Sequence, residues 1–91
     1  MAWTIELDKR AQNDLAKLDK QIQREILRYL ETRIAPSINP TAFGHGLTNN
    51  LAGLWRYRVR DYRIICRIES DRLVVMVLAV GHRSKIYEDS Q

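Results

Sequence analysis

Five arginines fall within twelve residues of this 91-residue chain, Arg56, Arg58, Arg60, Arg63 and Arg67, offset only by Asp61. Arginine donates hydrogen bonds in a planar fork that fits phosphate oxygens two at a time, and it stays charged at any physiological pH. In an extended strand, a spacing of two puts Arg56, Arg58 and Arg60 on one face and leaves Trp55, Tyr57 and Val59 on the other. The chemistry on offer is contact with a phosphate backbone or with an acidic protein segment, since one surface can serve both. The plainer alternative is that some of these groups solvate a sheet face or pair with nearby Asp and Glu.

Aromatic residues run through the same stretch and beyond it: Trp55, Tyr57, Tyr62 and Tyr87. Rings among basic groups are what single-stranded nucleic acid stacks on. Strand parity nevertheless assigns Trp55 and Tyr57 to the core, and Tyr87, in a polar tail, to a site or to the surface. The two histidines, His45 and His82, are the only imidazoles available as a general base. His45 lies between two glycines in a loop, where exposure is the ordinary outcome. Two histidines and one cysteine at no ligand spacing predict no metal, and the absence of an acidic cluster predicts no magnesium. No Gly-rich phosphate loop and no nucleophile–base spacing is present, so no cofactor is expected.

The elements that must position these residues can be read from periodicity. Trp3, Ile5 and Leu7 alternate as a strand, Asp8 can cap a helix carrying Ala11, Leu15 and Leu18, and Asp19 can cap a second with Ile22, Ile26, Leu30 and Ile34, ending near Ala35 before Pro36. Residues 36–53 hold both prolines and three of the four glycines and predict a loop with little regular structure; loops of this length are often functional. Leu54–Arg60, Tyr62–Ile68 and Leu73–Val80 then predict a three-stranded antiparallel meander. Gly81 is expected to break the last strand and release His82, Arg83, Lys85 and Tyr87 in a tail. The fold class is therefore α+β: an N-terminal strand, a two-helix hairpin and the meander, in two layers with both helices on one sheet face.

Length allows a single domain over residues 1–91. Fifteen Lys and Arg against eleven Asp and Glu give a net charge of +4, which favours an anionic partner. A lone Cys66 in an apolar run predicts a buried thiol in a reducing compartment, hence a cytoplasmic protein. Charges at Glu6 and Asp8 and the lack of an apolar run there predict neither a signal peptide nor an anchor at the N-terminus, and the longest apolar run, Leu73–Val80, falls far short of the roughly 20 residues that span a bilayer. No membrane partner is expected.

The stretch from Leu51 through Gly53, Trp55-Arg56-Tyr57-Arg58-Val59-Arg60-Asp61-Tyr62-Arg63 to Ile64 resembles the central signature of the RelE/ParE toxins, and Val80-Gly81-His82-Arg83-Ser84-Lys85-Ile86-Tyr87 resembles their C-terminal segment. The likeness covers essentially the whole chain. For the RelE branch it implies the toxin of a type II toxin–antitoxin system, an endoribonuclease (mRNA interferase) that enters the 30S ribosomal A site and cuts mRNA without metal. The products would be a 2′,3′-cyclic phosphate and a free 5′-hydroxyl. A cognate antitoxin would wrap the toxin in a hetero-oligomeric complex. The resemblance assigns catalysis to Arg58, Arg63, Arg83 and Tyr87, with Arg63 and Arg83 stabilising the phosphorane and Tyr87 orienting the 2′-hydroxyl or stacking on a base. Substrate binding falls to Arg56, Arg60, His82 and Lys85.

The chain departs from that pattern in two places. RelE toxins of the best-known type carry lysines where Arg56 and Arg58 stand, and arginine is a poor proton donor. Either Arg58 acts by charge alone or His82 supplies the leaving-group proton. The interval between Gly81 and Tyr87 is also shorter. A ParE-like inhibitor of DNA gyrase and a non-catalytic nucleic-acid-binding module are the competing functions on the same fold.

Overall fold

The computed structural model describes residues 2–85. Strand β1 (Thr4–Leu7) is followed by helices α1 (Lys9–Ala16) and α2 (Lys20–Tyr29), then by β2 (His45–Gly46), β3 (Trp55–Val59), β4 (Tyr62–Glu69) and β5 (Val74–His82). The strands form one sheet in the order β1-β5-β4-β3-β2. β3, β4 and β5 make the expected antiparallel meander, and β1 adds parallel to β5, with Thr4 beside Val74 and Leu7 beside Val77.

Asp8 caps α1 as its position predicts, its carboxylate accepting from the Ala11 N–H at 2.9 Å. Asp19 occupies the equivalent place before α2 but makes no side-chain cap bond. Ile26, Leu30 and Ile34 are fully buried. A four-residue interval drifts by about 40° per step around an ideal helix. The drift is corrected at Leu30–Ile34, where the chain winds one slower π-type turn closed by the Ala35 N–H to Leu30 carbonyl bond at 2.8 Å. Ala11 and Leu15 of α1 join these side chains, together with Tyr57, Ile64, Cys66, Val75, Val77 and Val80 of the sheet, in one core. Both helices therefore cover one sheet face, and burying each large aliphatic there stabilises the fold by roughly 1.5–3 kcal/mol. Burial pushes the Cys66 thiol well above its ordinary range, which leaves it a packing residue.

Two expectations need correction, and β5 carries an irregularity besides. β5 does not stop at Gly81: it pairs onward, Gly81 with Arg63 and His82 with Tyr62, because β4 supplies a partner strand that far. The alternation of β5 is interrupted by a bulge, since Ala79 pairs with Ile65 and Val77 with Cys66, leaving Leu78 as the extra residue. Finally, residues 36–53 are less irregular than their composition suggests, holding two short 3₁₀ turns (Pro40–Ala42, Asn49–Leu51) and β2.

Candidate functional site

Cross-strand register sorts the arginines. Arg58 pairs with Arg63 and Arg56 with Ile65, so Arg56, Arg58 and Arg63 share the sheet face opposite the helices. These three, with Tyr29, Gly44 and His45, line a concave site of about 260 Å³. Arg63 is half-buried, and its Nη1 is enclosed without a hydrogen-bond partner. Among the described residues neither Arg58 nor Arg63 has a carboxylate in ion-pair range. Gly81, which brings no side chain, faces Arg63 from β5.

Arg60 does not join them. It follows β3 in a left-handed conformation, φ 55°, and turns its guanidinium to Glu25 of α2, donating from Nε at 2.5 Å and from Nη2 at 3.0 Å. Strict alternation fails once the chain leaves the extended region. Arg67 is also engaged, donating to Glu69 at 3.0 Å near the far end of β4. His82 lies on the helix-covered face, edge-on to Tyr62 with ring centroids 5.6 Å apart, and its Nδ1 accepts from the Ser84 N–H at 3.2 Å. Lys85 is exposed and lines a separate hollow on that side with Asp14, Lys17 and His82. Arg83 leaves β5 beside the β3–β4 turn: its N–H donates to the Asp61 carbonyl at 2.8 Å, and its Nε lies 3.9 Å from the exposed Asp61 carboxylate, a weak surface pair. Tyr87 lies outside the described residues.

The loop contributes His45, exposed as its two flanking glycines predict. Trp55 and Tyr57 carry polar atoms that need partners once their rings are covered. The Trp55 indole N–H donates to the Phe43 carbonyl at 2.6 Å, and the Tyr57 hydroxyl donates to the Pro40 carbonyl at 2.7 Å. These bonds lay the loop along β3 so closely that a Cβ on Gly44, φ +72°, would stand 2.3 Å from the Arg56 carbonyl oxygen. Only glycine fits there. The next residue, His45, then pairs directly with Arg56. Tyr29 closes the site from α2, its ring 6.1 Å from that of Tyr57, and burial raises its phenol above the ordinary range, so it stays neutral. The site is thus a positive, partly walled surface with one imidazole at its edge, suited to holding a phosphodiester.

Comparison with known proteins agrees with this architecture. The pattern of the ParE toxin of the type II toxin–antitoxin system parDE matches residues 5–87. Toxin RelG of Mycobacterium tuberculosis is 31% identical over 87 residues, covering 96% of this chain and 98% of RelG. A chain of the RelBE2 toxin–antitoxin complex from Mycobacterium tuberculosis superposes with a TM-score of 0.83 at 28% identity, over 91% of this chain and 100% of that one. The archaeal RelE–RelB complex from Pyrococcus horikoshii shares the fold, with a TM-score of 0.68 at 23% identity over 93% and 99% of the two chains. The chain belongs to the RelE/ParE superfamily, the toxins of type II toxin–antitoxin systems. No helix among the described residues is long and apolar enough to cross a membrane.

Proposed function

We propose that this toxin is a ribosome-dependent endoribonuclease that cuts mRNA in the A site without a metal, and that it acts in the cytoplasm. The carrying observation is the Arg58–Arg63 pair, with an enclosed and unpartnered Arg63 Nη1 beside an open concavity. In the reaction the 2′-oxygen attacks the adjacent phosphorus and the bond to the 5′-oxygen breaks, leaving a 2′,3′-cyclic phosphate and a 5′-hydroxyl. Arg63 and Arg58 hold the non-bridging oxygens as charge builds on them, an electrostatic contribution that is usually the largest in such sites. Arg56 grips the neighbouring phosphate, Arg83 approaches from the turn beside Asp61, and Tyr87 orients the 2′-hydroxyl. Arg60, engaged with Glu25, steadies the sheet against α2, while His82 and Lys85 bear on RNA or ribosome outside the concavity. The single domain of residues 1–91 would be neutralised by an acidic antitoxin seated on the same basic face; the related toxins were solved as toxin–antitoxin complexes.

Primer extension on a defined message in a reconstituted translation system tests this reading. Cuts inside A-site codons are expected. The second reading, a gyrase inhibitor, draws on the ParE pattern that matches the sequence. It predicts uncut message and inhibited supercoiling.

A further inference from the structure

His45 is exposed, but its backbone is held in place. The Tyr57 hydroxyl and the Trp55 indole anchor the loop before it, the Leu47 N–H donates to the Leu54 carbonyl at 3.0 Å after it, and β2 sets it opposite Arg56. Four separate contacts thus bring one imidazole to the edge of the concavity that contains Arg58 and Arg63. Among the described residues the other charged groups lining it are guanidiniums, which donate hydrogen bonds but do not release protons, and the Tyr29 phenol is held neutral by burial. Fixed cations stabilise the phosphorane yet leave one demand unmet: the 5′-oxygen departs as a strongly basic alkoxide unless it is protonated. Imidazole is the side chain that exchanges a proton near neutral pH. His82, on the opposite face of the sheet beside Tyr62, cannot reach the same phosphate from there.

We propose that His45 is the general acid of this site. A phosphate resting on Arg58 and Arg63 presents one apical side to the outer strand β2. As the 2′-oxygen bonds to phosphorus and the phosphorus–5′-oxygen bond breaks, the imidazolium proton passes to the 5′-oxygen. The 2′-hydroxyl proton goes to solvent water, and the neutral imidazole is reprotonated from solvent. This assignment rests on the ribonuclease reading above.

The test compares two ribosome-bound messages that differ at one atom, carrying either oxygen or sulfur at the bridging 5′ position of the scissile linkage. A thiolate leaves without needing a proton. His45→Ala and His45→Gln should cleave the oxygen linkage about 10²- to 10⁴-fold more slowly than wild type, and the sulfur linkage within a few-fold of it. Undiminished cleavage of the oxygen linkage by either variant would overturn the assignment. So would an equal defect on both linkages in variants whose urea midpoint is unchanged. If the wild-type toxin leaves the oxygen linkage intact, the ribonuclease reading itself falls, and the role of His45 with it.

Discussion

Arg58 of β3 stands directly opposite Arg63 of β4, two like charges in a cross-strand position where an opposite pair would add stability. The chain keeps this repulsion at the centre of its concave site, and neither residue is relieved by a carboxylate among the described residues. A stability cost held at one place is the pattern expected of a binding site. Arg58→Thr should therefore raise unfolding stability by about 0.2–1 kcal/mol, read as a higher urea midpoint. The same variant should lose about 10²-fold in cleavage rate.

Gly44 is the point where the loop meets β3. Gly44→Ala forces a Cβ against the Arg56 carbonyl in a backbone conformation that alanine disfavours. The variant should lose about 1–3 kcal/mol and most of its cleavage, because the loop must lift and take His45 with it. Denaturant midpoints and single-turnover rates measured on the same preparation check both effects.

Tyr57 is fully buried, and its hydroxyl satisfies the Pro40 carbonyl. Tyr57→Phe leaves that oxygen without its donor at a cost of about 1–3 kcal/mol. Hydrogen exchange should quicken at the Leu47 amide, which bonds to Leu54, while the Ile64 and Val75 amides keep their protection.

Two surface carboxylates add a small acid sensitivity to the fold. Hydrogen bonds from Arg60 hold Glu25 below its ordinary value of 4.5, and hydrogen bonds from Arg72 and then Arg67 do the same for Glu69. Both depressions favour the charged form in the folded state. Their contribution is present in full above the unfolded value and is lost as pH falls through the lower folded values. The part of the melting temperature that these two pairs support should be intact at neutral pH and be lost as pH falls below about 4.5. Glu25→Gln should make that drop shallower.

The sheet and the helices were legible because each depends on a local period: alternation in Trp3–Leu7 and Trp55–Val59, fours in Ile22–Ile34, and a capping oxygen at Asp8. The site was legible only in part. Arg56, Arg58 and Arg63 follow from strand parity, but Arg60 leaves the face through a single positive φ that no alternation encodes. The bulge at Leu78 puts Val77 and Val80, three apart, in the same core and carries His82 to the helix side. The placement of His45 comes from contacts between residues far apart in sequence, Trp55 with Phe43 and Tyr57 with Pro40. The available signal was the Gly44-His45-Gly46 triplet together with two aromatic residues whose polar atoms needed partners.

The most direct test of the Arg58–Arg63 site is the single-turnover cleavage rate of ribosome-bound message by wild type and by Arg63→Ala, with folding verified by urea titration. The wild type should cut in the A site and release 2′,3′-cyclic phosphate ends, and Arg63→Ala should be slower by about 10²- to 10³-fold with its fold intact. Cleavage by Arg63→Ala at the wild-type rate, or an intact message with folded wild-type toxin, would contradict it.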